Sequence, residues 1–344
     1  MRWNPLAGLS IATALVAVAA FSPIHTAMAE AIPSEIAPKA VRSVLTDVTH
    51  TGKRFVAVGD RGHVLLSDDG QNWTQVVSPV SRMLTAVYFV NEQTGWAVGY
   101  DLAIIKTNDG GETWALQNHD AEQGWPFYNV FFINAQRGFA MGERGTLMVT
   151  DNGGSSWDTI ENDITDLGMH INAMIRLANG ILIAVGEKGL VIRSNDEGAN
   201  WEMVTEPYVG SFFGIVPRGK NGFVTFGLRG NAFATDDASA LLVQDPLEWD
   251  EYGRETVIDP ERLTELGWRF LENDITESLF GGTSLPDGEV VMVGVNGSIA
   301  RTDTSAGRLV PVPNPGDTTL GSVVVNNGNL IMVGVAGISR LSIR

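Results

Sequence analysis

The chain has 344 residues, 44% of them apolar, and its 40 acidic and 23 basic side chains give a formal net charge of −17. This charge disfavours nucleic acid and anionic lipid as partners, because their phosphate groups would be repelled. The chain contains no cysteine, which excludes disulfides, thiolate metal sites, a cysteine nucleophile and a lipoprotein anchor at an N-terminal cysteine.

The first 29 residues have the pattern of a secretory signal peptide. Arg2 supplies a positive start, an apolar run extends from Leu6 to Phe21, and Ala27 to Ala29 form a small-x-small cleavage site. The apolar run is short for a membrane span, and nothing later in the chain is longer. The sequence predicts cleavage after Ala29 and a mature chain, residues 30–344, in the periplasm without direct membrane insertion. The alternative is an uncleaved N-terminal anchor.

A hydrophobic strand runs into the same glycine turn seven times along the mature chain. Successive glycines are 40 to 44 residues apart, except for one interval of 67 residues. A unit of this length holds four short strands and cannot bury its own core, so it must stack on its neighbours. The sequence predicts an all-β fold, a seven-bladed β-propeller of four-stranded blades. The seven glycines are Gly59, Gly99, Gly142, Gly186, Gly227, Gly294 and Gly334.

The start and the end of the repeat array suggest how the ring closes. The seventh repeat stops after its third strand, at Ile338 to Arg344, and a segment at 31–38 precedes the first strand of blade one. We expect this N-terminal segment to supply the missing outer strand of blade seven, because the ring would then have no unpaired edge.

The interval of 67 residues contains an insertion at about 238–277. Asp259 followed by Pro260 is typical of a helix start, with Asp as the cap and Pro at the first helical position. Apolar residues follow at helical spacing and predict a short amphipathic helix. Its apolar face packs either on the propeller or on a partner. These apolar residues are Leu263, Leu266, Phe270 and Leu271.

A second motif, Ser/Thr-x-Asp-x-Gly-x-x-Trp, lies between the third and fourth strands. It is complete at 107–114 and 194–201, has Asn in place of Asp at 150–157, and is one residue shorter at 67–73. Blades five and six keep only its first residues. We interpret the motif as structural, with polar side chains bonding turn amides and the tryptophan packing below. Its structural residues are Asp69, Trp73, Asp109, Trp114, Asn152, Trp157, Asp196 and Trp201.

This motif is the Asp-box, or BNR repeat. Coupled to a preceding glycine turn, which reads Gly-x-x-Gly at 142–157 and has Leu102 in place of the second glycine at 99–114, it resembles the photosystem II stability/assembly-factor family of exported β-propellers. The resemblance covers all of the mature chain. It implies a non-enzymatic protein that binds or helps assemble a membrane complex at its periplasmic or lumenal face, and some related exported proteins accompany transporters.

The sequence offers little for catalysis or metal binding. A sialidase-like propeller uses an arginine triad and a tyrosine nucleophile, and the chain lacks the Arg-Ile-Pro sequence that places one such arginine. The five histidines have no metal-ligand spacing, the Asp-rich turns lack the ligand ladder of a calcium loop, and no nucleophile elbow or P-loop is present. We expect no enzyme activity, no metal and no cofactor. The alternatives are a carbohydrate-active propeller and a carrier of a small hydrophobic ligand.

One group of basic residues stands out, at the turns between the second and third strands. Four of these turns carry a cation, and in a propeller they share one face, opposite the Asp-boxes. Arginines beside aromatic side chains are enriched at binding surfaces, so we predict that this face binds a protein partner. We also expect the protein to be a monomer. The alternative is that the cations pair with Asp60, Glu143 and Glu187 and the aromatics are core. The candidate binding residues are Arg61, Arg82, Trp125, Phe127, Arg144, Lys188 and Arg229.

Overall fold

The computed structural model describes residues 31–249, 259–303, 305 and 307–343. The predicted signal peptide, residues 1–29, lies outside these ranges, as do residues 250–258 of the insertion. The described residues form seven antiparallel sheets in chain order, arranged as the blades of a propeller. The predicted seven-bladed β-propeller is confirmed. Within the described ranges no helix is long and apolar enough to span a membrane.

The first three blades each have four strands in consecutive order. Blade one comprises β1 (Leu45–His50), β2 (Phe55–Gly59), β3 (Val64–Ser67) and β4 (Thr74–Val76). Blade two comprises β5 (Leu84–Phe89), β6 (Gly95–Gly99), β7 (Ile104–Thr107) and β8 (Ala115–Asn118). Blade three comprises β9 (Phe127–Phe132), β10 (Gly138–Gly142), β11 (Leu147–Thr150) and β12 (Asp158–Thr159).

Blades four and five are linked by the insertion, because β20 leaves blade five to extend blade four. Blade four comprises β13 (Ile171–Arg176), β14 (Leu182–Gly186), β15 (Val191–Ser194) and β16 (Glu202–Val204). Blade five begins with β17 (Phe212–Arg218), β18 (Gly222–Gly227) and β19 (Ala232–Thr235). The insertion then contributes β20 (Val243–Gln244) as a fifth strand of blade four, and β21 (Arg269–Phe270) completes blade five.

The last two blades differ in strand number. Blade six comprises β22 (Leu279–Ser284), β23 (Val290–Gly294), β24 (Ile299–Thr302) and β25 (Leu309–Pro311), whereas blade seven has only β26 (Leu320–Asn326), β27 (Asn329–Gly334) and β28 (Gly337–Ser342). Helical structure is confined to α1 (Pro260–Glu265) and short 3-10 turns among the described residues. These turns are Ala40–Arg42, Asp60–Gly62, Glu143–Gly145, Thr165–Leu167, Glu187–Gly189, Leu228–Gly230, Ala238–Ala240, Pro246–Glu248 and Val295–Gly297.

Each of the seven repeated glycines ends the second strand of its blade. An added Cβ at Gly59 would collide with the carbonyl oxygen of Val44, and the equivalent collision with the residue before the first strand recurs in the other six blades. The first strand has a bulge at the same point. The φ of Gly59, 176°, is ordinary extended backbone, so the close approach of two backbones, and not a left-handed conformation, requires the glycine.

The core lies between neighbouring blades. Trp96 of blade two, for example, is fully buried and stacks on Phe132 of blade three with ring centroids 3.5 Å apart. Between blades seven and one, Val333 packs with Leu45 and Leu65. The last blade therefore docks directly on the first, as any two neighbours do.

The prediction that the N-terminal segment forms the outer strand of blade seven is wrong. The segment instead lies along blade one, where Ser34 and Ser78 exchange two 2.9 Å hydrogen bonds and the side-chain amide of Gln75 bonds the backbone of Ala37 and Glu35. Prolines at 33 and 38 lack the N–H that a ladder needs. Blade seven consequently has three strands.

The predicted helix of the insertion is present but shorter than its apolar pattern indicates. The cap expected from the sequence is provided by Asp259, whose side chain accepts from the amides of Glu261 and Arg262. Gly267, at φ +83°, ends the helix. Leu263 is buried in the core of blades four and five, so this face packs on the propeller itself. Phe270, predicted to be helical, lies in β21.

Candidate functional site

The Asp-box turns are closed hydrogen-bonding units. In blade two, Thr107 Oγ1 donates to Asp109 Oδ1 at 2.8 Å and accepts from the Gly111 amide at 3.0 Å, while Asp109 accepts from the amide of Thr113 at 2.9 Å. Burial would raise the pKa of Asp109, but hydrogen bonds from Thr113 and Thr107 outweigh it and hold that pKa below 3.8. The Asp109 carboxylate is thus held by hydrogen bonds within its own turn.

The tryptophan that ends each of the three eight-residue boxes packs edge-on against a phenylalanine. Trp114 meets Phe89 with ring centroids 6.1 Å apart at 86°, and Trp157 and Trp201 make contacts of nearly the same geometry. The corresponding phenylalanine partners are Phe132 and Phe139. These side chains wedge the fourth strand against the core and leave the opposite face of the propeller free of Asp-box groups.

The Asp-box of blade five, which the sequence predicts to be reduced to its first residues, is instead interrupted. Its first part is Thr235 to Asp237, and Trp268, just before β21, occupies the place of the box tryptophan. Trp268 packs on Phe223 with ring centroids 5.5 Å apart at 82°, which is the same edge-on contact. The insertion therefore lies inside this box.

The four cations of the candidate face all have left-handed backbone. Their φ angles lie between 53° and 57°. This conformation is uncommon for residues other than Gly, Asn and Asp and costs about 1–2 kcal/mol for an L-residue with a Cβ. Blade six has Asn296 at the same position, with φ 54°. The strained residues are Arg61, Arg144, Lys188 and Arg229.

Two of these cations lie over an aromatic side chain. The Arg144 guanidinium is 5.3 Å from the ring centroid of Trp125, and Lys188 Nζ is 5.9 Å from that of Trp249. Burial raises the pKa of the Tyr208 phenol, and the charge of Arg229 offsets part of that rise. Cations over aromatic faces are held without losing their hydrogen-bond donors.

The acidic neighbours of Arg61 and Arg144 form only weak ion pairs with them. Arg61 Nε is 3.6 Å from Asp60 Oδ2, and Arg144 Nε is 3.7 Å from Glu143 Oε1, both longer than a hydrogen bond. The Arg61 and Arg144 side chains are 79% and 64% exposed, so such pairs contribute at most about 1 kcal/mol. Arg229 makes no ion pair with the described part of the chain. The guanidiniums keep donors available for a partner.

Blade two has Asp101 at the position where its neighbours have a cation, but Arg82 from another segment lies beside it. Arg82 comes from the connection between blades one and two, and its Nε is 2.9 Å from Asp101 Oδ2. The Arg82 side chain is 60% exposed. Cations thus occupy the same face in five consecutive blades. We call this set the basic arc: Arg61, Arg82, Arg144, Lys188 and Arg229.

Two sequence-based assignments at this face change. Phe127, a predicted binding residue, is fully buried in the core between blades two and three and is not on the surface. The side chain faces inward because it begins a strand whose alternate residue, Tyr128, faces the channel. Trp249 was missed, because it reaches Lys188 from the insertion and no repeat pattern marks it.

The first strands of the seven blades surround a central channel. It encloses a cavity of about 220 Å³ lined by Asp47, Tyr128, Asn172, Phe213 and Phe280 among others. Burial and the nearby Glu143, Tyr100 and Glu187 raise the pKa of Tyr128. The carboxylates of the blade three and four turns therefore lie near the mouth of this channel.

A second cavity, of about 440 Å³, opens on the same face beside Trp125 and Arg144. Its walls also include Leu102 and Met148, and the carboxylates of Asp120 and others lie at its edge. Apolar and cationic groups are thus available together on blades two and three.

The family described as Photosynthesis system II assembly factor YCF48 matches residues 40–283 of the chain. The chain belongs to this family. A curated relative, the Photosystem II assembly protein Ycf48 of Thermosynechococcus vestitus, is 28% identical over 235 residues, which cover 68% of this chain. The match spans only 60% of that relative's length.

Solved structures support the fold. YCF48 from Cyanidioschyzon merolae aligns with a TM-score of 0.62 and 16% identity, covering 90% of this chain and 98% of its own. A structure of YCF48 bound to D1 peptide aligns with a TM-score of 0.62 and 15% identity, covering 91% of this chain and all of that one. The WD40 propeller domain of Doa1 aligns equally well, with a TM-score of 0.62 and 13% identity, covering 92% of this chain and 96% of its own, so these alignments indicate the fold alone.

Proposed function

We propose that the protein is an exported, non-catalytic propeller that captures an acidic segment of a membrane-protein partner on the basic arc. The observation that carries the proposal is the set of four cations held in left-handed turns on one face. Arg and Lys are poor residues for this backbone, so stability does not explain them. In a chain of net charge −17, they form a local site for carboxylates.

Two further observations support a protein partner. The chain belongs to a family of photosystem II assembly factors, and a YCF48 of the same fold has been solved with a D1 peptide bound. Arginines beside tryptophan, as at Arg144 and Trp125, are typical of protein-binding surfaces. We infer a partner segment at the periplasmic or lumenal face of a membrane complex, bound by a monomeric propeller.

The test is capture of the partner from detergent-solubilised membranes by the tagged full-length protein. Replacing Arg144 and Arg229 together by Glu should lower partner affinity at least about tenfold and reduce its salt dependence. The thermal midpoint should stay nearly unchanged, because both side chains are exposed.

A charge-matched control lies on the opposite face. Lys53 and Lys220 are exposed and lie in the loops between first and second strands of blades one and five. Replacing both by Glu changes the net charge equally and should leave capture at its wild-type level. Equal capture by the two double variants at low salt would refute the proposal.

A further inference from the structure

The channel mouth has an apolar side opposite the charged turns of blades three and four. The residue that follows the repeated glycine differs between the blades. It is acidic in blades one, three and four (Asp60, Glu143 and Glu187), and it is apolar in blades five to seven. The comparison is between equivalent sites, because the amide at this position donates to the carbonyl before the first strand in every blade. The apolar residues are Leu228, Val295 and Val335.

Blades five and six also carry apolar side chains inside the channel. Phe213 and Phe280 line the channel on blades five and six, with ring centroids 5.3 Å apart. The Arg229 amide donates to Ser278 Oγ at 3.1 Å, which holds the blade five turn against the segment that leads into Phe280. We call this set the apolar arc: Phe213, Leu228, Phe280, Val295 and Val335.

Two members of the apolar arc are exposed to solvent, and the other three are half-buried. Leu228 is 37% exposed and Val335 is 50% exposed, although both are held in tight turns. Blades six and seven carry Asn296 and Ala336 where blades three to five carry a cation. The mouth is therefore divided into a charged side and an apolar side, and Leu228 and Arg229 are the adjacent residues at which the two meet.

We propose that the channel mouth binds an extended peptide in one orientation, with an apolar side chain on the apolar arc and a carboxylate on the basic arc. This inference rests on the proposed function and names the chemistry of the partner segment. Because Leu228 and Arg229 are adjacent, the apolar side chain and the carboxylate of the peptide should lie within about three residues of each other, at about 3.3 Å per extended residue.

The test is selection of a display library of nine-residue peptides with free carboxyl termini on the mature protein. The wild type should enrich peptides that combine a large apolar residue with a nearby acidic side chain or the terminal carboxylate. The selected peptide is then synthesised and titrated. Leu228→Asn with Val335→Thr should weaken its binding about tenfold and abolish the preference for the apolar residue, while the salt dependence of binding persists.

Matched substitutions of exposed apolar residues elsewhere serve as the control. Val310, 46% exposed on the outer strand of blade six, and Leu242, 52% exposed in the insertion, lie away from the mouth. Leu242→Asn with Val310→Thr should bind the peptide as the wild type does.

The outcomes separate the two proposals. Enrichment of acidic peptides without any apolar preference would overturn the apolar arc as a binding site and leave the proposed function standing. An apolar preference that survives Leu228→Asn with Val335→Thr would place the apolar contact elsewhere and also overturn it. If the wild-type protein enriched no peptide and also failed to capture a partner, both the peptide-binding proposal and the proposed function would be overturned.

Discussion

Ser322 Oγ donates a 2.7 Å hydrogen bond to Asp47 Oδ1 and joins the last blade to the first across 275 positions of the chain. The other carboxylate oxygen of Asp47 accepts from the Val87 amide of blade two at 2.9 Å. One channel carboxylate therefore ties three blades. Burial raises the pKa of Asp47, and the bonds from Val87, Ser322 and Val48 offset part of that rise.

Removing the hydroxyl of Ser322 should loosen this closure. Ser322→Ala should lower the free energy of unfolding by about 1–3 kcal/mol, because it leaves a poorly solvated carboxyl oxygen of Asp47 without this partner. Ser284→Ala is the control, since Ser284 Oγ donates to the Pro217 carbonyl at an exposed site, 3.2 Å away, and should cost about 0.5 kcal/mol. Urea denaturation measures both, and equal losses would argue against a special role for the Asp47 contact.

Deleting residues 31–37 should expose blade one and leave blade seven unchanged. The deleted segment bonds Gln75 and Ser78, so amide exchange should accelerate in β4 and at Ser78. Protection in β28 should stay at its wild-type level. Faster exchange in β28 after this truncation would contradict the observed placement of the N-terminal segment.

Trp268 should be as important for stability as the tryptophan of an uninterrupted Asp-box. Trp268→Ala and Trp114→Ala should each lower the free energy of unfolding by about 3–5 kcal/mol. Asp109→Ala, which removes turn hydrogen bonds but no core volume, should cost about 1–2 kcal/mol. A Trp268→Ala variant as stable as the wild type would show that the edge-on contact with Phe223 is incidental.

The blade four box should make stability fall in acid. Hydrogen bonds from the Asn200 side chain and amide lower the pKa of Asp196 from 3.8 to about 2. A depressed folded-state pKa stabilises the fold fully above the unfolded value, near pH 4, and this contribution is lost as pH falls toward 2. Thermal unfolding between pH 5 and about 2 would measure the loss.

The neighbouring blade supplies a control for this titration. Blade three has Asn152 and Ser156 at the positions of Asp196 and Asn200, with the Asn152 side chain bonding both the amide and the hydroxyl of Ser156. Asp196→Asn with Asn200→Ser should copy this neutral turn. The double variant should lose less stability between pH 4 and 2 than the wild type, and an identical acid profile would exclude Asp196 as its source.

At the positions of the left-handed cations, a substitution that raises stability should weaken partner binding. Arg229→Asn should raise the free energy of unfolding by about 0.5–1 kcal/mol, since Asn tolerates φ near 57° better than Arg. The same change should weaken partner binding about tenfold. Asn296→Arg, the reverse exchange in blade six, should destabilise by a similar amount, and no difference in thermal stability between the two variants would refute this account.

The sequence predicted the blades well because the same steric requirement for a glycine recurs in every blade. Gly59 and its six equivalents must accept the close approach of a first-strand backbone, so their period of about 40 residues is visible without any structure. The cationic turns were found for the same reason, since Arg144 and Arg229 occupy one position in that period.

Features outside the period were missed. Trp268 is separated from Thr235 by the insertion, and Trp249 reaches Lys188 only through the folded path of that insertion. Phe127 was misplaced because strand alternation depends on register, and a shift of one residue exchanges core and surface. The N-terminal segment was assigned to blade seven by a symmetry argument, whereas its contacts with Gln75 are particular to blade one.

The position of residues 31–37 on blade one also determines how the propeller responds to mechanical load. A pull on the N-terminal side acts first on the bonds of Ser34 and Ala37 to blade one, which can be peeled one after another. The contact between Asp47 and Ser322 lies further along the chain, in β1, and is loaded only after those bonds have opened. A tether at this end can therefore transmit force or tolerate a fused domain while the ring, and the face that carries the basic arc, stays closed.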